Sequence, residues 1–314
     1  MLFIGGSLNQ TTMMHKISEF LNKNHDCFFS YYYGSGAIDY FAEKGVLDFT
    51  ILGGKFKNDT MKYLNDNNLE IDEKGQKYDY DLVIFGADLI IPKNIQDKPI
   101  VLVQEGMTDP ENLMYYLVKW LKLPRWLAST STMGLSHKYQ KFCVASNGYK
   151  DHFIKKGVDP EKIEVTGIPN FDNMERFKKN KFPHKNFVMV ATSDTRETFK
   201  YDNRKKFIKK VVKIADGRKI IFKLHPNEKV NRAVKEINKY APGSLVYRDG
   251  KTEEMIANCD VLVTQYSSVV YVGLALEKEC YSYFNIDELK RLQPIQNRGE
   301  SAKNIARVCR SIIE

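Results

Sequence analysis

His225 stands directly before a proline in the run Lys223-Leu224-His225-Pro226-Asn227-Glu228. Proline fixes its own φ and keeps the preceding residue out of the helical region. The imidazole is thereby held in extended backbone, where it can donate to a phosphate oxygen with Lys223 nearby; a purely structural histidine is the alternative. A second run, Asp260-Val261-Leu262-Val263-Thr264-Gln265-Tyr266-Ser267-Ser268, ends in paired serines before a helix predicted over 269 to 276. Hydroxyls and unpaired amides at a helix start favour an anion, and N-capping by Ser267 or Ser268 is compatible with that role. In Thr192-Ser193-Asp194-Thr195-Arg196-Glu197, Ser193 and Arg196 are candidate contacts to phosphates or a base. The alternative is that Asp194 and Glu197 pair with Arg196 at a capped helix start.

Two further loops carry polar groups of a different kind. Gln104-Glu105-Gly106 sets a carboxylate beside a glycine, and Glu105 placed near a hydroxyl can accept its proton; a capping or hydrogen-bonding role is the alternative. Gly5-Gly6-Ser7-Leu8-Asn9-Gln10-Thr11-Thr12 is a glycine turn into a helix predicted to begin near Met13. Gly5, Gly6, Ser7 and Gln10 are candidate contacts to a sugar hydroxyl or anion, against a tight turn capped by Thr11 or Thr12. The run has neither a Walker lysine nor full GxGxxG spacing. No metal site is expected: the five cysteines form no CxxC pair, and Asp79-Tyr80-Asp81 enters a strand from its amino end.

All these loops follow runs that read as strands. One set comprises 2 to 4, 27 to 33, 48 to 52, 81 to 85, 100 to 103, 142 to 145 and 163 to 166; the other comprises 187 to 191, 219 to 222, 245 to 247, 260 to 264 and 280 to 284. Helical periodicity between them predicts βα units around parallel sheets, and ligands bind beyond the carboxyl ends of such strands. The 314 residues suit two domains. We expect a first Rossmann-like domain over 1–168, a linker over 169–186 that follows Gly167 and is marked by Pro and dense charge, and a second Rossmann-like domain over 187–314. The helix from Ser301 to Ile313 is expected to pack on the first domain or on a partner.

The net charge of +9 is concentrated between 176 and 229, which suits nucleic acid, an anionic membrane or phosphorylated and acidic substrates. In 204 to 215 the apolar residues fall at helical spacing with lysines mostly opposite, the pattern of an amphipathic helix. No nucleic-acid motif accompanies the charge, so no nucleic-acid partner is expected. The segment 113–127, apolar and aromatic with interspersed basic residues, suits either an anionic membrane surface or a core helix. Met1 leads straight into Leu2-Phe3-Ile4 without a secretory signal or span. A cytoplasmic location is expected, with peripheral membrane contact as the variant.

Together these features resemble the GT-B glycosyltransferases, α/β proteins of two Rossmann-like doubly wound domains facing across a cleft. Lys223-Leu224-His225-Pro226 and Asp260 to Val269 are similar to the His-Pro and Ser-Ser elements of CDP-glycerol glycerophosphotransferases and of bacterial transferases using CMP-linked acidic sugars. The resemblance implies that these elements hold donor phosphate. Val165-Thr166-Gly167-Ile168-Pro169-Asn170-Phe171-Asp172 is similar to the interdomain segment of the same superfamily, including the UDP-N-acetylglucosamine 2-epimerases. The chain departs from the glycerophosphotransferases at Glu105, where they carry a histidine, and from the epimerases after Ser268, where an acidic pair is missing.

The resemblance implies a metal-independent, inverting glycosyltransferase, with Glu105 as base and His225 on the leaving phosphate. Ser193, Arg196, Lys223, Gln265, Ser267 and Ser268 are assigned to the donor, and Gly5, Gly6, Ser7 and Gln10 to the acceptor or sugar. The partners implied are a pyrimidine nucleotide-sugar, as substrate rather than cofactor, and a glycan or lipid-linked acceptor of surface polysaccharide or glycoconjugate synthesis. The alternatives are a non-hydrolysing UDP-N-acetylglucosamine 2-epimerase and a CDP-polyol phosphotransferase.

Overall fold

The structure, a computed structural model, describes residues 1–193, 195–197 and 201–314. It divides into two compact units, Met1–Asp172 with Asn297–Glu314, and Asn173–Gln296. The sequence boundaries differ from these at both ends. Residues 169–172 belong to the first unit, and the second stops at Gln296 rather than running to 314.

The first unit holds the strands β1 (Leu2–Gly5), β2 (Phe28–Tyr31), β3 (Val83–Phe85), β4 (Ile100–Val103), β5 (Lys141–Val144) and β6 (Ile163–Val165). All pair in parallel in the order β2-β1-β3-β4-β5-β6. β1, β3 and β4 are buried along their whole length, as strands covered on both faces must be, and so they appear in the sequence as unbroken apolar runs. The helices of this unit are α1 (Leu8–Ser18), α2 (Ala37–Glu43), α3 (Gly54–Asp66), α4 (Leu113–Leu121) and α5 (Asn147–Lys156). The second unit holds β7 (Val188–Ala191), α6 (Arg204–Ala215), β8 (Ile220–Lys223), α7 (Val230–Tyr240), β9 (Leu245–Tyr247), α8 (Thr252–Asn258), β10 (Val261–Thr264), α9 (Val270–Ala275), β11 (Glu279–Tyr281) and α10 (Ile286–Leu292). Its sheet is parallel, in the order β11-β10-β7-β8-β9. The chain ends on α11 (Ser301–Ile313), which returns to the first unit and packs on α1.

Each strand order reverses once, between β1 and β3 in the first unit and between β7 and β10 in the second. Loops diverge to opposite faces at such a point and leave a crevice at the carboxyl ends of the two strands. Gly5 to Gln10 lie at one of these points; Ser193 and Gln265 lie at the other.

Four local expectations are corrected. Residues 48–52 form turns, not a strand: Asp48 Oδ1 accepts from the Gly54 amide at 2.9 Å and Thr50 Oγ1 donates to Leu47 O at 2.7 Å, so local side-chain bonds fold the segment back. α1 begins at Leu8, and its cap is Ser7 rather than Thr11 or Thr12, because Ser7 Oγ accepts from the Gln10 amide. α9 begins one residue later than predicted and ends one earlier. In place of a linker, Asn170 Nδ2 donates to Asn9 O, Asn9 Oδ1 and Thr12 Oγ1 on α1, and Asp172 accepts from the amides of Asn297 and Ser301 at 2.6 and 3.0 Å. Asp172 thereby caps the start of α11.

The segment 113–127 is not a core helix: α4 buries only Tyr115 and Val118. Among the described residues no helix is long and apolar enough to cross a membrane.

Candidate active site

In the second unit a chain of polar side chains spans the β7/β10 switch point. Ser193 Oγ donates to Gln265 Oε1 at 3.1 Å, and Gln265 Nε2 donates to Asp202 Oδ1 at 2.7 Å. Asp202 Oδ2 accepts from Arg204 Nε at 2.9 Å. Arg204 Nη2 in turn donates to Ser193 O at 3.0 Å and to Glu228 Oε1 at 2.8 Å. Glu228 Oε2 accepts from the His225 amide at 3.1 Å and from the Thr192 hydroxyl. The side chains of Asp202 and Glu228 are 1% exposed and that of Arg204 is 5% exposed. Charges so buried persist only when paired and hydrogen-bonded, and here one guanidinium ties together the loops after β7, β8 and β10.

That network fixes His225. Its ring Nδ1 accepts from the Asn227 amide at 3.2 Å, so the proton of the neutral ring sits on Nε2 and makes that atom a donor. The neighbouring candidates divide. Ser267 and Ser268 are half-buried and form the turn into α9: Ser267 O accepts from the Val270 amide, Ser268 O from the Tyr271 amide, and Ser267 Oγ from the Val269 amide at 3.4 Å. Lys223 is buried, with its ammonium donating to Arg248 O at 2.8 Å and Leu224 O at 3.3 Å. Burial lowers its pKa against the pull of Asp249 and Glu253. The ammonium therefore holds backbone at the β8 edge. Arg196 makes a fork to Glu236, both bonds at 2.9 Å, and Glu197 pairs with Arg232. The expected Arg196–Glu197 pair is replaced by these partners, and Asp194 lies outside the described residues.

In the first unit the focus is Glu105, directly beyond the end of β4. Its Oε1 accepts from Ser7 Oγ at 2.9 Å and Asn9 Nδ2 at 3.0 Å, and its Oε2 from Gln10 Nε2 at 2.6 Å. Gln104, fully buried, locks the adjoining backbone by accepting from the Ala145 amide and donating to Gly106 O. The structure therefore brings Ser7, Gln10 and Glu105 together and adds Asn9. It gives the glycines a different task. A Cβ on Gly5 would lie 2.6 Å from Thr11 Oγ1 and 3.0 Å from Thr11 Cα, and one on Gly6 would lie 2.9 Å from Tyr32 Cβ. Their smallness serves packing inside the unit, and the Gly6 amide is spent on Gln10 Oε1 at 2.8 Å.

Asn9, Asp202, Arg204 and Glu228 were not singled out from the sequence. Glu228 had a usable signal, because a carboxylate three residues after His225 matches the reciprocal spacing of a capping box. Arg204 was hidden in a basic run. Asp202 had no local signal, since its partner Gln265 is remote in the chain.

The thiols are not poised as nucleophiles. Burial pushes Cys143, Cys259 and Cys280 up to about 12 and Cys27 up to about 11, and it raises Cys309 well above the ordinary range. Among the described residues no group of three His, Cys, Asp or Glu side chains is placed to hold a metal ion.

Comparison with solved structures decides the architecture. The wall teichoic acid polymerase TagF, in a variant soaked with CDPG, matches with a TM-score of 0.54 at 12% identity, over 99% of this chain and 88% of that one. The UDP-GlcNAc 2-epimerase of Neisseria meningitidis, bound to UDP-GlcNAc, matches with a TM-score of 0.57 at 11% identity over 99% of both chains. The fold is GT-B. The epimerase of Methanocaldococcus jannaschii, in complex with UDP-GlcNAc and UDP, matches this GT-B chain with a TM-score of 0.56 at 15% identity, again over 99% of both. Among curated proteins, a processive diacylglycerol beta-glucosyltransferase of Staphylococcus epidermidis is 29% identical over 126 residues. That match spans 38% of this chain and 30% of the relative. No family model matches.

Proposed function

We propose that this GT-B chain is a glycosyltransferase, moving a sugar from a pyrimidine nucleotide donor to a glycan or lipid-linked acceptor of surface polysaccharide or glycoconjugate synthesis. The observation that carries the reading is the buried Ser193-Gln265-Asp202-Arg204-Glu228 network at the β7/β10 switch point, which orients His225. In this reading the Nε2–H of His225 and the hydroxyls of Ser267 and Ser268 stabilise the negative charge that grows on the departing nucleotide phosphate. Glu105, aimed by Ser7, Asn9 and Gln10, takes the acceptor proton, and the reaction inverts without a metal ion. The partial match to a lipid glucosyltransferase supports this chemistry.

A lipid-linked acceptor also suits the surface around α4. Leu113, Trp120 and Leu121 are 74%, 72% and 64% exposed, with Lys119 and Lys122 between and beside them. Apolar side chains interleaved with cations match an anionic bilayer, into whose interface the rings insert while the ammoniums meet headgroup phosphates.

The test is thermal stabilisation by CMP, CDP, UDP and UDP-GlcNAc in the wild type, His225→Ala and Ser268→Ala, with turnover of any stabilising donor measured in Glu105→Gln. A ligand at about 100 times its Kd contributes about 2.7 kcal/mol, which is readily seen. The reading expects a nucleotide-specific shift that is lost in His225→Ala and kept in Glu105→Gln, the latter without turnover. Conversion of UDP-GlcNAc into its 2-epimer would establish the second reading, which the full-length fold match to two epimerases supports. No shift with any nucleotide would remove the transferase.

A further inference from the structure

On several helices an exposed cation pairs with an acid of the same helix, as in Lys55–Asp59 and Lys62–Asp66 on α3 and Arg291–Glu288 on α10. α6 concentrates five lysines with no such acid. Lys205, Lys206, Lys209, Lys210 and Lys213 are all exposed, and at 100° per residue they occupy an arc of about 140° over a length of about 12 Å. Among the described residues none of the five is ion-paired; Lys205 lies over the Tyr240 ring and Lys210 over the Tyr283 ring. Three of their pairings, 205/209, 206/210 and 209/213, set like charges at i,i+4, which works against the helix.

This lysine face forms one side of an open groove of about 1080 Å³. Tyr201, Tyr266 and Tyr283, respectively 87%, 54% and 42% exposed, also line it. Asp202 reaches the groove, but its carboxylate is buried and taken by Arg204 and Gln265, so among the described residues the groove presents positive charge alone.

We propose that this groove binds a linear polyanion, a glycan or polyol chain whose repeats carry phosphate or carboxylate groups. One phosphate cannot meet ammoniums spread along two turns of helix, whereas a chain of regularly spaced anions can. The tyrosines offer ring faces and hydroxyls to the uncharged parts between them. A nucleic acid fits less well. Tyr266 meets Tyr283 and Phe284 edge-on, at 5.2 and 5.1 Å with interplanar angles of 80° and 77°, so the rings do not form a run of parallel platforms for successive bases. The groove borders the candidate active site, sharing Asp202 and Gln265 with its network, but the polyanion proposal does not depend on the transfer chemistry proposed above, and its test reads binding rather than turnover.

The probe is long-chain inorganic polyphosphate, titrated by calorimetry against the full chain and against Lys209→Glu/Lys213→Glu, from about 50 to about 200 mM salt. Pyrophosphate and an oligothymidylate of matched charge serve as the comparison ligands. The expected result is polyphosphate binding that weakens at least tenfold over that salt range and at least tenfold again in the variant. The variant should melt no lower than the wild type, since it relieves repulsion on an exposed face. Pyrophosphate binding as tightly as the polymer, the oligonucleotide binding more tightly, equal binding by a folded variant, or no binding at all would each overturn the proposal.

Discussion

Arg204 joins the loops after β7 and β8 directly and the loop after β10 through Asp202 and Gln265, which makes it the residue whose loss is felt furthest. Replacing it by Met leaves the buried carboxylate of Glu228 without a cation and that of Asp202 with only Arg196 Nε, at 3.6 Å. Removing one partner of a buried ion pair costs about 3–5 kcal/mol. Arg204→Met is therefore expected to lower the unfolding free energy, read from urea denaturation, by that amount and to abolish nucleotide stabilisation. Arg196→Met, which breaks a more accessible fork to Glu236, should cost about 1 kcal/mol and leave ligand binding in place. Equal losses in the two variants, measured by equilibrium unfolding, would show that Arg204 has no special part in holding the loops together.

Among the elements, the strands were the most legible. Val83–Phe85, Ile100–Val103 and Val261–Thr264 are buried on both faces, so their apolar runs carry the signal within a few residues. The loops were legible in position but not in wiring. His225 and Glu105 lie just beyond strand ends, as their positions in the sequence suggest, whereas the bonds that orient them come from Asn227, Ser7, Asn9 and Gln10, and beside Glu228 the supporting charges Asp202 and Arg204 come from a stretch remote in the chain. The failures share a cause: 48–52 looks like a strand in composition, yet Asp48 and Thr50 turn their side chains on the backbone. The segment 169–172 looks like part of a linker because it stands between Gly167 and a Pro-containing charged stretch, yet Asp172 is buried beneath α11. Asp172→Ala should cost about 2 kcal/mol, the loss of a cap and of an acceptor for two amides. Asp172→Asn, which keeps one acceptor oxygen, should lose about half of that. Both follow from denaturant unfolding, and an unchanged Asp172→Ala would mean that α11 is held by its apolar face alone.

At the scale of the whole molecule, both tryptophans of the chain, Trp120 and Trp126, lie in the exposed segment around α4. Tryptophan fluorescence, excited selectively over the 18 tyrosines, consequently reports on that surface. Vesicles rich in phosphatidylglycerol should shift the emission to the blue, phosphatidylcholine vesicles should not, and Lys119→Glu/Lys122→Glu should lose the shift. A blue shift that appears on concentrating the protein without lipid would instead mean that a second copy covers the surface. The return of α11 has a consequence of another kind. The second unit, 173–296, is continuous in the chain, while the first is interrupted by it and closed only by residues 297–314. During synthesis the ribosome therefore delivers everything the second unit needs before the first receives α11, and α1 waits for the helix that packs on it. Of the two units, the one begun first is completed second.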